Sequence, residues 1–183
     1  RNLQFMVLAY YADIDRLDER DTILHAAPMS HGSGLYGLAH VAQGSCNVIV
    51  PSGHFDPDEI IALIGRWPQV SMFAAPTMLV RLLRARHAAH ARNLKTIVYG
   101  GGPMYLADLE AAIDRFGPRL FNLYGQGESP MTITGLTKAH HADRSHPRYR
   151  ERLQSCGVAR TGVEVRVVDA EGNDLPAGEV GEV

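Results

Sequence analysis

Three short clusters in this chain combine glycine with side chains capable of chemistry. They are Pro28-Met29-Ser30-His31-Gly32-Ser33-Gly34, Gly100-Gly101-Gly102-Pro103 and Tyr124-Gly125-Gln126-Gly127-Glu128. Glycine lets a ligand lie against bare backbone, and amides left free there can donate to an anion. The same residue also makes tight strand-to-helix turns with no ligand at all, so the neighbouring side chains decide between the readings. Glu128 can be a Mg²⁺ ligand, because Mg²⁺ bound to phosphates takes one or two protein carboxylates. It can equally be a solvated acid at a helix start. Tyr124 offers a ring face to a base, or is a half-buried strand tyrosine. His31, standing alone, is a satisfied structural histidine, a catalyst or a ligand.

Other patterns fall short of a site. His140, His141 and His146 have a spacing that matches no defined metal centre. Gly32-Ser33-Gly34-Leu35-Tyr36-Gly37 fits the dinucleotide-binding fingerprint, but the next apolar run ends Val50-Pro51-Ser52 with no acid to hold a ribose. Asp56, further on, is better used as a helix cap. An NAD(P)-binding oxidoreductase domain is therefore an alternative with one part absent. The same segment resembles an esterase oxyanion turn, yet the chain has no Gly-x-Ser-x-Gly elbow. It has no Walker A sequence either, and its only lysines are Lys95 and Lys138.

The elements that must position these clusters follow from hydrophobic pattern. Apolar runs over Thr22 to Met29, Asn47 to Pro51, Val70 to Ala75, Leu94 to Tyr99 and Leu120 to Tyr124 are short and continuous, as strands buried on both faces of a parallel sheet are. Helical signals lie between them: Asp56-Pro57-Asp58-Glu59 as cap, first-turn proline and capping acid; Pro76-Thr77 opening a stripe of Met78, Leu79, Leu82 and Leu83; and Leu106, Leu109, Ile113 and Phe116 on one face, stopped at Gly117-Pro118. This alternation predicts an α/β fold: a mainly parallel, doubly wound sheet with helices on both faces. After Lys138 the pattern changes. Ala139 to Leu153 reads as an exposed loop, and the alternation from Gly162 predicts a short, truncated antiparallel β tail. Residues 1–154 are expected to form the α/β subdomain, and 155–183 the start of a small β subdomain.

Bulk properties exclude several classes. A net charge of −2 supplies no basic field for nucleic acid, and no apolar run approaches the ~20 residues of a membrane span. Cys46 and Cys156 form no disulfide framework and are expected to be small buried hydrophobes in a reducing cytosol, which predicts a cytoplasmic protein. Both termini read as cut.

Taken in order, Pro-x-x-His, Ala75-Pro76-Thr77, Gly-Gly-x-Pro, Tyr-Gly-x-x-Glu and Gly162-Val163-Glu164-Val165-Arg166-Val167-Val168-Asp169 resemble the AMP-binding, adenylate-forming superfamily of acyl-CoA synthetases over essentially the whole chain. The resemblance implies that a carboxylic acid, fatty or aryl, is activated with Mg²⁺ and ATP to acyl-AMP and passed to coenzyme A. By that resemblance Gly100, Gly101, Gly102 and Pro103 line the adenine pocket. Tyr124 stacks on the base within the nucleotide loop Gly125, Gln126 and Gly127. Glu128 binds Mg²⁺, and His31, Gly125, Pro130 and Met131 shape the acyl pocket, with His31 beside the carboxylate. The family usually has threonine before the glutamate. Gly127 stands there, so that hydroxyl contact is lost or supplied elsewhere, which keeps a non-catalytic pseudo-ligase module as a further alternative. The family's phosphate loop, ribose-binding aspartate and C-terminal lysine are not in the sequence, so the chain by itself is expected to be inactive.

Overall fold

The computed structural model describes residues 1–86 and 88–183. Each predicted run forms a strand: β1 (Thr22–His25), β2 (Cys46–Ile49), β3 (Val70–Ala74), β4 (Leu94–Gly100) and β5 (Leu120–Tyr124). They pair in parallel in the order β2-β1-β3-β4-β5. The first strand is shorter than its apolar run. The chain turns at Ala26, whose amide reaches back to Leu24, and Pro28 has no N–H to continue a ladder.

Successive strand residues feed two cores. Val70, Met72 and Ala74 of β3, with Ile97 and Tyr99 of β4, pack against α3 (Pro57–Arg66), α4 (Pro76–Leu82) and α5 (Leu106–Phe116). Phe73, Val98 and Phe121 face the other way, onto α1 (Asn2–Asp13) and α2 (Gly32–Ala42). With every residue of β3 buried, the sheet is covered on both faces, as the unbroken apolar runs require. The start signals hold for α3, where the Asp56 carboxylate accepts from the Glu59 amide at 2.9 Å and Pro57 opens the helix.

Three features depart from the sequence reading. Helix α1 carries no clear signal in the sequence: it buries Met6, Ala9 and Tyr10 but leaves Leu3 and Leu8 exposed, so its apolar residues make no clean stripe. The expected loop from Ala139 to Leu153 contains two short helices, α6 (Lys138–Ala142) and α7 (Tyr149–Leu153). Thr137 caps α6 in a reciprocal box with His140, a histidine standing where glutamate is the usual signal. Two antiparallel strands, β6 (Thr134–Leu136) and β7 (Val158–Ala159), extend the sheet beyond β5. The alternating segment from Gly162 is antiparallel as expected, paired through isolated bridges from Val168 to Asp174 and Glu182.

His140, His141 and His146 form no metal cluster, and no group of three potential ligands occurs among the described residues. His141 is fully buried instead. Its Nδ1–H donates to the Thr137 carbonyl at 2.7 Å, which fixes the tautomer, and Nε2 accepts from the Tyr99 hydroxyl at 2.9 Å. The expected burial of the cysteines fails for Cys156, which is exposed, and Cys46 is half-buried. No helix among the described residues is long and apolar enough to cross a membrane.

Burial holds the His141 imidazole down at about 4, below its ordinary 6.5. The unfolded chain therefore takes up a proton near pH 6.5 that the fold refuses until about pH 4. This part of the stability is complete above that window and is lost as pH falls through it, by up to about 3 kcal/mol. Urea midpoints measured at pH 7, 5.5 and 4.5 should fall steeply for the native chain and less steeply for His141→Gln. Parallel curves would rule the contribution out.

Candidate active site

Strand β1 is the turning point of the sheet. The connection through α2 leads from it to β2 over one face, and β3 lies on its other side, reached through α3 over the opposite face. In such sheets ligands settle outside the carboxyl ends of the strands, beside this switch point. The loops after β1, β3, β4 and β5 all open on that edge.

After β1 the chain turns through Pro28-Met29-Ser30 into α2, with His31 as its N-cap. The predicted glycine loop is in fact the first turn of that helix. A side chain at Gly34 would overlap the Met29 carbonyl, and one at Gly32 would come within 2.9 Å of the Phe73 ring. These glycines are therefore filled by protein, and Gly37 is crowded by His25 at 3.1 Å. The dinucleotide alternative is not favoured: packing accounts for these glycines, and the segment after β2, Val50-Pro51-Ser52, carries no acid for a ribose.

The loops after β4 and β5 meet. Gly101, Gly102, Pro103 and Met104 form one wall of a cleft of about 520 Å³, and Asn122, Leu123, Tyr124 and Gly125 form another. Gly102 also approaches Pro76, the first residue of α4, at 4.0 Å from where its Cβ would lie. Gly101 has φ +81° with open space beside it, a backbone conformation that favours glycine and leaves its surface bare. Gly100 does not line the cleft. It ends β4, where a Cβ would stand 2.6 Å from the Leu123 carbonyl, so its glycine serves strand packing. The half-buried Tyr124 lines the cleft, and its hydroxyl accepts from Gln126 Nε2 at 2.8 Å. The far wall comes from Leu153, Gln154, Ser155 and Cys156, at the end of α7 and just beyond it. Sequence reasoning missed these four, since nothing in their types marks them.

Beyond Gly125 the backbone folds tightly on itself. The Gln126 amide reaches the Ser129 carbonyl at 3.2 Å, Ile133 returns to Tyr124 at 3.1 Å, and the Ser129 and Thr132 hydroxyls pair at 2.7 Å. Met131 adopts φ +60°, a left-handed conformation that costs a non-glycine residue about 1–2 kcal/mol. Glu128 is exposed at the crest and borders a small depression with Arg1, Asn2, Pro130 and Thr132, apart from the main cleft. Its carbonyl accepts from Asn2 Nδ2 at 2.7 Å, and its carboxylate has no partner among the described residues. Gly127 is exposed with nothing within 4 Å, so no neighbour forbids a side chain there. Of the expected acyl-pocket residues, Met131 is buried in the α1/α2 core with Phe73, and the exposed His31 ring lies 6.4 Å from the Phe73 ring. Pro130 stays with Glu128, and neither His31 nor Gln126 lines the main cleft.

The profile of the AMP-binding enzyme family matches residues 1–183. The chain belongs to that family. Among its relatives, the medium/long-chain-fatty-acid–CoA ligase FadD8 of Mycobacterium tuberculosis is 32% identical over 87% of this chain and 27% of its own length. A feruloyl-CoA synthase of an Amycolatopsis species is 30% identical over 91% of this chain and 32% of its own. Among solved structures, the amide bond synthetase McbA of Marinactinospora thermotolerans superimposes with a TM-score of 0.84 at 28% identity, covering 98% of this chain and 35% of the other. ATP-bound MatB of Rhodopseudomonas palustris gives 0.77 at 26% identity, covering 98% and 34%. The chain thus spans about a third of the length of these AMP-binding enzymes.

The two glycines of the last loop should answer differently to substitution. Gly125→Ala places a methyl group on the Met131 backbone and should cost about 1–3 kcal/mol. Gly127→Ala should stay within about 0.5 kcal/mol. Thermal unfolding of both variants checks this, and equal losses would contradict the contrast.

Proposed function

We propose that this chain is the central part of an acyl-activating ligase that joins a carboxylic acid, fatty or aryl, to AMP and then to the thiol of coenzyme A. The observation that carries this reading is the meeting of Gly101–Pro103 with Tyr124–Gly125 in one cleft at the carboxyl edge of the sheet, in a member of the AMP-binding family. The bare backbone after β4 suits the flat edge of adenine, and the Tyr124 ring suits its face. A carboxylate oxygen of the acid forms a bond to the α-phosphorus as the bond to pyrophosphate breaks. The thiol then takes the acyl group and AMP leaves.

Glu128 fits a Mg²⁺ site of the kind completed by substrate. It is a single exposed carboxylate without a competing partner, and no all-protein cluster of ligands surrounds it among the described residues. When bound there, Mg²⁺ would offset charge on the phosphates. His31, at the end of the β1 loop, is assigned to the carboxylate of the acid, with Gly125, Pro130 and Met131 shaping the room for its chain. Gly127 leaves the α-phosphate without the threonine hydroxyl usual in the family.

Exchange of labelled pyrophosphate into ATP by the full-length protein, dependent on added carboxylic acid, tests the reading. Glu128→Gln keeps the shape but removes the charge, and should cut that exchange by about 10²–10³. An unchanged rate at limiting Mg²⁺ would make Glu128 a surface acid. The 183-residue chain alone should show no exchange above a protein-free control, because an adenine cleft and one carboxylate leave the β- and γ-phosphates unheld. Turnover by the chain alone would refute that assignment of parts.

A further inference from the structure

Arg160 is a guanidinium with only 4% of its surface exposed, just past β7 where the chain crosses α1. Its Nε donates to Asp13 Oδ2 at 3.0 Å, Nη2 to the Ala9 carbonyl at 2.7 Å, and Nη1 to the Met131 carbonyl at 2.5 Å. Its central carbon lies 5.6 Å from the Phe121 ring centroid. Asp13 closes α1, where backbone carbonyls concentrate negative charge and a carboxylate is disfavoured. Arg160 and the Thr161 hydroxyl, 2.5 Å from Asp13 Oδ1, offset it. So far this is a structural ion pair. The bond to Met131 goes further, because Met131 is the residue that holds the left-handed turn closing the Glu128 loop.

We propose that Arg160 is a positioning residue for Glu128: it ties the Met131 carbonyl to α1 and thereby fixes where the Glu128 carboxylate stands at the sheet edge. The proposal rests on the functional reading of Glu128 given above. The loop is held to α1 at two carbonyls three residues apart. Asn2, at the start of the helix, grips that of Glu128, and Arg160, braced on Ala9 and Asp13 near its end, grips that of Met131. A helix is stiff along its axis, so the two grips set both the height and the tilt of the crest between them. Burial of the Met131 side chain in the α1/α2 core and the loop's own short hydrogen bonds are the other restraints, but the crest itself, Gln126, Gly127 and Glu128, is exposed and gains nothing from burial. Arginine suits this place because its planar fork reaches acceptors in three directions, which a lysine ammonium on a flexible stem does not reproduce.

Two variants of the full-length protein separate the roles of the guanidinium. Arg160→Lys keeps the charge near Asp13 but loses the fork, whereas Asp13→Asn weakens the ion pair and leaves the bond to Met131. In Arg160→Lys, amide hydrogen exchange at Gln126 and Ile133 should rise at least about tenfold while Ile97 in the sheet is unchanged, and the Mg²⁺ concentration for half-maximal pyrophosphate exchange should rise about tenfold. Asp13→Asn should lower the melting temperature yet keep both readouts within about threefold of the native protein. Unchanged loop exchange in Arg160→Lys overturns the proposal, and so does faster loop exchange with an unmoved Mg²⁺ requirement. If the native protein shows no carboxylate-dependent exchange, the reading of function fails separately, and the amide exchange still decides whether Arg160 holds the loop.

Discussion

The ligand edge depends on the parallel register of β3, β4 and β5. Ala74 pairs with Tyr99 and Gly100 with Leu123, so the three strands end within a residue or two of one another. Loops leaving such strands must emerge side by side, and the glycines within them meet without any long-range signal between them. The register is in turn held by burial on both faces. Phe73 and Val98 point into one core while Met72 and Ile97 point into the other, and a slip of one residue would exchange them all.

The opposite edge of the sheet is built from charge. Lys95, near the start of β4, binds the buried Asp21 at 2.6 Å, and Lys138, opening α6, binds Asp15 at 2.6 Å. Thr96 shares Asp15. Removing one member of such a pair leaves the other buried and unbalanced, so these contacts fix which segments may sit at that edge. Both lysines of the chain are committed there, at the end away from the cleft. Histidine does comparable work nearer the middle, where burial holds His40 and His141 in their neutral form, each down at about 4.

The central strands were legible because a strand buried on both faces is largely apolar, and β5 falls on the run from Leu120 to Tyr124. The helices α3, α4 and α5 were legible from proline, caps and a clean stripe. Helix α1 has no such stripe, α6 is capped by a histidine in place of an acid, and β6 spans three residues, too short for periodicity to register. For the site, the adjacency of the β4 and β5 loops was legible and the purpose of each glycine was not. Gly100 and Gly125 are glycine because neighbouring backbone leaves no room, whereas Gly101 and Gly127 face open space. The letter is the same in all four places, and only packing tells them apart. The wall from Leu153 to Cys156 is built by a segment about thirty residues beyond Tyr124, a relation carried by tertiary structure alone.

The exposure of Cys156 gives that wall a practical use. The chain has two cysteines, and the other, Cys46, is half-buried in the edge strand β2. A maleimide or a nitroxide reagent at limiting concentration would therefore meet the cleft-lining sulfur first. A small fluorophore or spin label attached there would sit across the cleft from Tyr124 and report, by a change of signal rather than by turnover, when a flat ring enters between them.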